Sequence, residues 1–233
     1  MAGEILPGQM SEGIDTPAVG RYAVGYLYIT ALAADTETFT INSAEYEFDT
    51  ANDAIVGAGV EINDAGDAAP TDNVDSIVVD LNADPAKEVT AVDLGSLVAF
   101  VSDDAGTAGN YSLAETMAGA NGVVSAANMV GGEARDLIPL ERVSYTLTTN
   151  DVTALADGNV TGVPIGCIDL GIAAANLGLY GLTVQLATGE FKSPATVGIT
   201  FVAVSGTKCL IVLTDAGATL ALNDVIRMLI SAQ

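Results

Sequence analysis

The sequence predicts a mainly β protein, with a small α+β part near the N-terminus and a β-sandwich or barrel-like C-terminal domain. Three observations lead there. Short segments rich in β-branched and aromatic residues recur along the chain, separated by turns containing Gly, Asn or Asp. One stretch, 71–84, carries the apolar stripe of a helix. Half of the 233 residues are apolar and only 16% are charged, so the chain can bury a sizeable core and is not disordered by composition.

Residues 1–20 hold Pro7, Pro17 and several glycines without sustained periodicity, and read as an extended arm. Ile5, Leu6, Pro7, Ile14 and Pro17 are its candidate interface residues. From Arg21 the pattern changes, and 22–30 reads as a strand. "TFTINSAEYEF" (38–48) reads as two strands around an Asn42-Ser43 turn, with Tyr46 and Phe48 alternating against Glu45 and Glu47. A further strand is expected over 54–62, weakened by its glycines.

The helix follows. Thr71 or Asp72 can cap its start, and acids crowd its first turn, where the helix dipole favours them. Val74, Ile77, Val78 and Leu81 fall on one face, and Ala83-Asp84-Pro85 stops the run. Strands at 88–92 and 96–102 are spaced as a hairpin across Asp93, Leu94 and Gly95; 103–110 is expected to be a loop and 111–115 a short final segment. A helix with one apolar face needs a sheet to cover it, so 21–115 reads as a two-layer α+β module.

Residues 116–141 are rich in Gly, Ala and Asn and read as a connection ending near Pro139. Beyond it, 142–233 reads as the β-sandwich-like domain, with strands at 142–149, 162–170, 180–187, 197–204, 208–214 and 224–232. The last of these also fits a helix. Leu210, Ile211 and Val212 are consecutive, so that strand is either buried on both faces or meets another subunit with one of them.

Composition narrows the chemistry. Thirty acids against seven bases give a net charge of −23, which repels phosphate and anionic lipid and keeps an apolar chain dispersed. No nucleic-acid or membrane partner is therefore expected. There is no histidine, so Ser-His-Asp and Cys-His catalysis are ruled out in their usual form. No phosphate-binding G-x-x-x-x-G-K-[ST] occurs. Cys167 and Cys209 each sit in an apolar run and read as buried thiols, with no zinc-binding pattern around them. The N-terminus lacks the basic start and apolar core of a signal peptide, and 165–187 is interrupted by Asp169, Asn176 and Gln185, so it reads as buried strands rather than a membrane span. No enzyme activity and no cofactor are expected. Two Gly-containing acidic loops, 63–67 and 102–110, offer the oxygen ligands that calcium takes, though neither has EF-hand spacing; Asp103 and Asp104 are the candidate ligands, and a solvated turn is the plainer reading.

Residues 24–115 resemble a module common in virion proteins of tailed bacteriophages. The shared features are Asp35, Thr38, Thr40, Ile41, Asn42, Tyr46 and Phe48, then a helix, two strands and the "AGTAGN" loop at 105–110. The helix is poorer in alanine than is usual for such modules, and Ser43-Ala44 stands where a Gly-containing turn is common. The resemblance implies a phage-particle structural protein: a capsid decoration, or cement, protein. It would sit on the virion surface as a homotrimer, with the major capsid protein as partner. A tail tube or a fibre or receptor-binding component is the alternative it implies.

Overall fold

The structure is a computed structural model that describes residues 21–50, 59–118, 121–132, 140–169, 171, 173–192, 197–215 and 220–232. The expected arm, with Ile5, Leu6, Pro7, Ile14 and Pro17, lies outside the described residues, as do 54–58 of the strand expected over 54–62 and the end of the connection at Pro139.

The fold is mainly β. Strand β1 (Arg21–Ile29) is its axis. Its first residues pair with β10 (Val163–Asp169), its length pairs with β6 (Leu97–Ala105), and its far end pairs with β8 (Gly122–Val124), all antiparallel. With β5 (Val89–Asp93), β13 (Val197–Ser205) and β14 (Lys208–Asp215) these form a seven-stranded sheet in the order β13-β14-β10-β1-β6-β5, with β8 beside β1. Two smaller sheets flank it. One is β12-β11-β15-β9, from β9 (Leu140–Thr146), β11 (Leu177–Gln185), β12 (Phe191–Lys192) and β15 (Val225–Ala232). The other is β4-β3-β2-β7, from β2 (Thr38–Ile41), β3 (Ala44–Phe48), β4 (Val60–Ile62) and β7 (Leu113–Glu115).

Period-two alternation in β1 and β6 explains the layering. Tyr22, Val24, Tyr26 and Tyr28 of β1, with Leu97, Ala99 and Val101 of β6, enter one core, which β9, β11 and β15 close with Val143, Val184, Ile226, Met228 and Ile230. Ala23, Leu27 and Ile29, with Val98 and Phe100, enter a second core on the opposite face. There they meet Phe39, Tyr46 and Phe48 of the small sheet and helix α1 (Pro70–Ala83). Phe39 stacks on Tyr46 at 5.0 Å and on Phe100 at 5.7 Å between centroids, joining small sheet to large. A strand buried on both faces can carry no charge along its middle, and "YAVGYLYI" carries none.

Helix α1 buries Val74, Ile77 and Leu81 fully, while Val78 is only half-buried. Each fully buried aliphatic side chain contributes about 1.5–3 kcal/mol relative to exposure. The helix begins slightly earlier than expected. Ala69 is the N-cap and Pro70 opens the first turn; Asp72, expected as a cap, instead reaches back so that its Oδ2 accepts the N–H groups of Ala68 and Ala69, both at 2.9 Å. Fully buried Asn73, on the same face as the apolar stripe, accepts from the Ala33 main chain at 2.8 Å.

Three other stretches differ from expectation. Residues 103–105 continue β6, because Asp103 N–H bonds to the Glu88 carbonyl and Ala105 pairs with Tyr22; only Gly106–Gly109 turn, as a 3-10 segment. The strand expected over 142–149 ends at Thr146, and α2 (Thr149–Leu155) follows it. Residues 224–232 form a strand, not a helix, because β15 runs between β9 and β11 with both edges paired.

β1, β5 and β6, which precede the Gly/Ala-rich connection, share one sheet with β10, β13 and β14, which follow it. The two expected units, 21–115 and 142–233, are thus joined through main-chain hydrogen bonds. The four-stranded sheet β12-β11-β15-β9 packs against one face of this shared sheet, which takes strands from both halves of the chain. Leu210, Ile211 and Val212 are at most 2% exposed, so the chain itself covers both faces of β14.

Candidate functional site

Where β9 lies over β1 and β10, the two sheets leave a cavity of about 290 Å³. Its apolar lining includes Val24, Val143 and Ile165, and Arg21, the first described residue, lines it as well. Two tyrosines from facing strands, Tyr26 and Tyr145, turn their hydroxyls to one carboxylate. Asp151 of α2 is fully buried and accepts from Tyr26 Oη at 2.8 Å, Tyr145 Oη at 3.1 Å, and the N–H and Oγ1 of Thr148 at 2.7 and 2.8 Å. Thr148 is the N-cap of α2 and accepts the Asp151 N–H in return at 3.2 Å, a reciprocal cap. Burial, then the Asp151 charge and hydrogen bond, push both tyrosines well above the ordinary phenol range. They remain neutral donors at any physiological pH, and the arrangement locks helix to sheet.

Cys167 also lines the cavity. It pairs in register with Leu210 while Cys209 pairs with Ile168, so the two thiols fall on opposite faces of the sheet; both are free and buried. Burial pushes both up, Cys209 to about 12, so neither supplies a thiolate near neutral pH.

The outer surface offers two apolar features. A shallow depression of about 350 Å³ crosses β9, β11 and β15, lined by Ser144, Gly181, Thr183, Arg227 and Leu229, with Leu179 exposed on the same sheet. Strand β13 is an edge of the seven-stranded sheet: it pairs with β14 on one side, and no described strand pairs with the other. Its nine residues, VGITFVAVS, carry no charge, and Ile199, Phe201 and Val202 are only half-buried. Proteins usually protect such an edge with charge or proline, so an unguarded one is a place where another chain can add a strand.

Asp103 and Asp104 are both exposed and engaged separately. Asp103 Oδ1 accepts from Thr90 Oγ1 at 3.1 Å and lies 3.6 Å from Lys208 Nζ, whereas Asp104 Oδ2 accepts from Tyr111 Oη at 2.8 Å. Lys208 also donates to the Ser102 carbonyl at 3.1 Å and lies 4.0 Å from the Tyr22 ring centroid. Among the described residues, no three Cys, Asp or Glu side chains form a group able to hold a metal ion, and no helix is long and apolar enough to cross a membrane. The Tyr26–Asp151–Tyr145 cluster escaped the sequence reading, although Thr148-Thr149-Asn150-Asp151 has the spacing of a capping box.

No protein-family model, curated protein or solved structure matches the chain.

Proposed function

We propose that this chain is a non-enzymatic structural protein of a tailed-bacteriophage particle, a decoration or cement protein that binds the outer capsid lattice and stabilises it as a homotrimer. The reading rests on the resemblance across residues 24–115, from Asp35 through the Tyr46 and Phe48 strand to the 105–110 turn. The surface is consistent with it. The uncharged edge of β13 suits strand addition by a neighbour, and the depression across β9, β11 and β15 suits an apolar contact. The −23 charge keeps decorated particles apart. Weak contacts repeated by particle symmetry give strong net holding.

The test has two parts. Immunogold labelling of intact particles should mark heads; labelling of tails alone would replace this reading with the tail-component one. Purified chain should co-sediment saturably with heads, and deletion of Met1–Gly20 should weaken that binding at least about tenfold while leaving the circular dichroism spectrum unchanged. Equal affinity of the truncated chain would remove the arm from the contact. Absence of any binding to heads or tails would overturn the proposal.

A further inference from the structure

The cavity between β9 and the β1–β10 floor is larger than the voids that close packing leaves in a protein core. It sits where two strands part. β1 pairs with β10 at Arg21 and Tyr22, but from Val24 its partner on that edge is Val130. β10 shifts register between Pro164 and Gly166, and both of those residues line the cavity. Gly166 keeps the space open. Its φ is not positive, and a Cβ there would meet only Val143 and Ile211 within 4 Å, each at an ordinary 3.6 Å. The backbone would accept a side chain at this position, and the sequence supplies none.

The lining selects a class of occupant. Val24, Val143, Ile165 and Ile168 make its walls apolar. Arg21 is the one charged side chain in the lining, and it already has a partner of its own, so the cavity calls for no charge. Tyr26 Oη and Tyr145 Oη give their protons to Asp151, so toward the cavity they can only accept. The same bonds, with the α2 cap, hold that wall in place before anything binds, which lowers the cost of binding. An apolar cavity of about 150 Å³ holds benzene. This one, at about 290 Å³, has room for about ten non-hydrogen atoms on that scale. We propose that the cavity binds an uncharged, mainly apolar molecule the size of a fused two-ring aromatic, with one N–H or O–H that donates to the tyrosine oxygens. The site does not depend on where the chain sits on a particle.

Indole is the probe. The chain has no tryptophan, so indole emission can be followed directly, and it should shift to the blue on entering an apolar cavity. Titration of the full chain should saturate with Kd of about 0.1–1 mM. Indene, the same shape without the N–H, should displace indole. Tyr145→Phe should weaken indole about fivefold and leave indene unchanged. Gly166→Leu fills the space; it should bind indole at least about tenfold more weakly and melt no lower than the native chain. Thr183→Glu, on the outer depression, should bind indole as the native chain does. The proposal is overturned if the native chain gives no saturable shift up to about 5 mM indole, or if Gly166→Leu binds like the native chain. It is also overturned if Thr183→Glu abolishes binding, which would place the ligand on the outer sheet. If Gly166→Leu does not fold, Tyr145→Phe decides: equal losses for indole and indene, or no loss for either, overturn the assignment.

Discussion

Replacing Asp151 by alanine tests whether the buried carboxylate holds helix to sheet. The side chain is fully buried and accepts from two tyrosine hydroxyls, one threonine hydroxyl and one main-chain N–H. Alanine leaves Tyr26 Oη and the Thr148 N–H without that acceptor, frees Tyr145 Oη, and removes half of the α2 cap. Hydrogen bonds to a charged group contribute about 1.5–3 kcal/mol each, and a lost cap about 1 kcal/mol. The losses overlap, because one relaxation serves several donors, so the expected cost is about 4 kcal/mol rather than the full sum. For a chain of this size that corresponds to a Tm lower by about 8–16 °C. Urea denaturation followed by circular dichroism measures it directly. Tyr26→Phe, which removes one donor and leaves the others, should cost about 2 kcal/mol. A loss below about 1 kcal/mol for Asp151→Ala would refute the reasoning, since it would mean that water or a rearranged partner satisfies the donors at no cost.

Two further outcomes follow from the same geometry. Burial first, then neighbouring carboxylates, raise Tyr26 and Tyr145 strongly and raise Tyr28 and Tyr46 to about 12, so the folded state favours neutral phenols. Their stabilising contribution is complete below the unfolded phenol value of about 10 and is lost as pH rises through the folded values; the urea midpoint should fall steeply above pH 10, and Tyr26→Phe should flatten that fall. Gly95 has φ of +86°, and a Cβ there would lie 1.8 Å from the Asn159 carbonyl oxygen, so Gly95→Ala should destabilise by at least about 2 kcal/mol in thermal melts. Gly158→Ala, with nothing within 4 Å of the new methyl, should be neutral.

Strands that alternate or run apolar were legible because their side chains answer to local patterning. β1, β2, β3, β13 and β14 stand within a residue or two of where the sequence puts them. The α1 stripe was equally clear; its start was not, because the N-cap is Ala69 rather than Thr71 or Asp72, with Pro70 opening the helix and Asp72 reaching back from its first turn. Helix α2 was missed because seven residues are too few for a periodicity to register and its stability comes from Asp151, a contact between elements distant in sequence. Asp103 and Asp104 drew attention as neighbours in a glycine-rich run, but consecutive residues of a strand face opposite ways, and each found its own partner. Asp64 stood in 63–67, one of the two acidic loops read as offering oxygen ligands, but nothing in the sequence marked its side chain as buried. Only its burial beside Asp49 sets it apart, and burial of a loop side chain is decided by what packs over it.

The central position of β1 has a consequence for how the protein is made. The strand emerges early from the ribosome, yet one of its edges is paired by residues 122–130 and, at Arg21 and Tyr22, by residues 168 and 167, all synthesised much later. Until the second half arrives, Tyr22, Val24, Tyr26 and Tyr28 lack the side chains of β9, β11 and β15 that cover them, and folding cannot finish before it has been translated. Refolding should accordingly be slow and all-or-none, and crowding of unfinished chains, rather than final stability, should limit the yield of soluble protein.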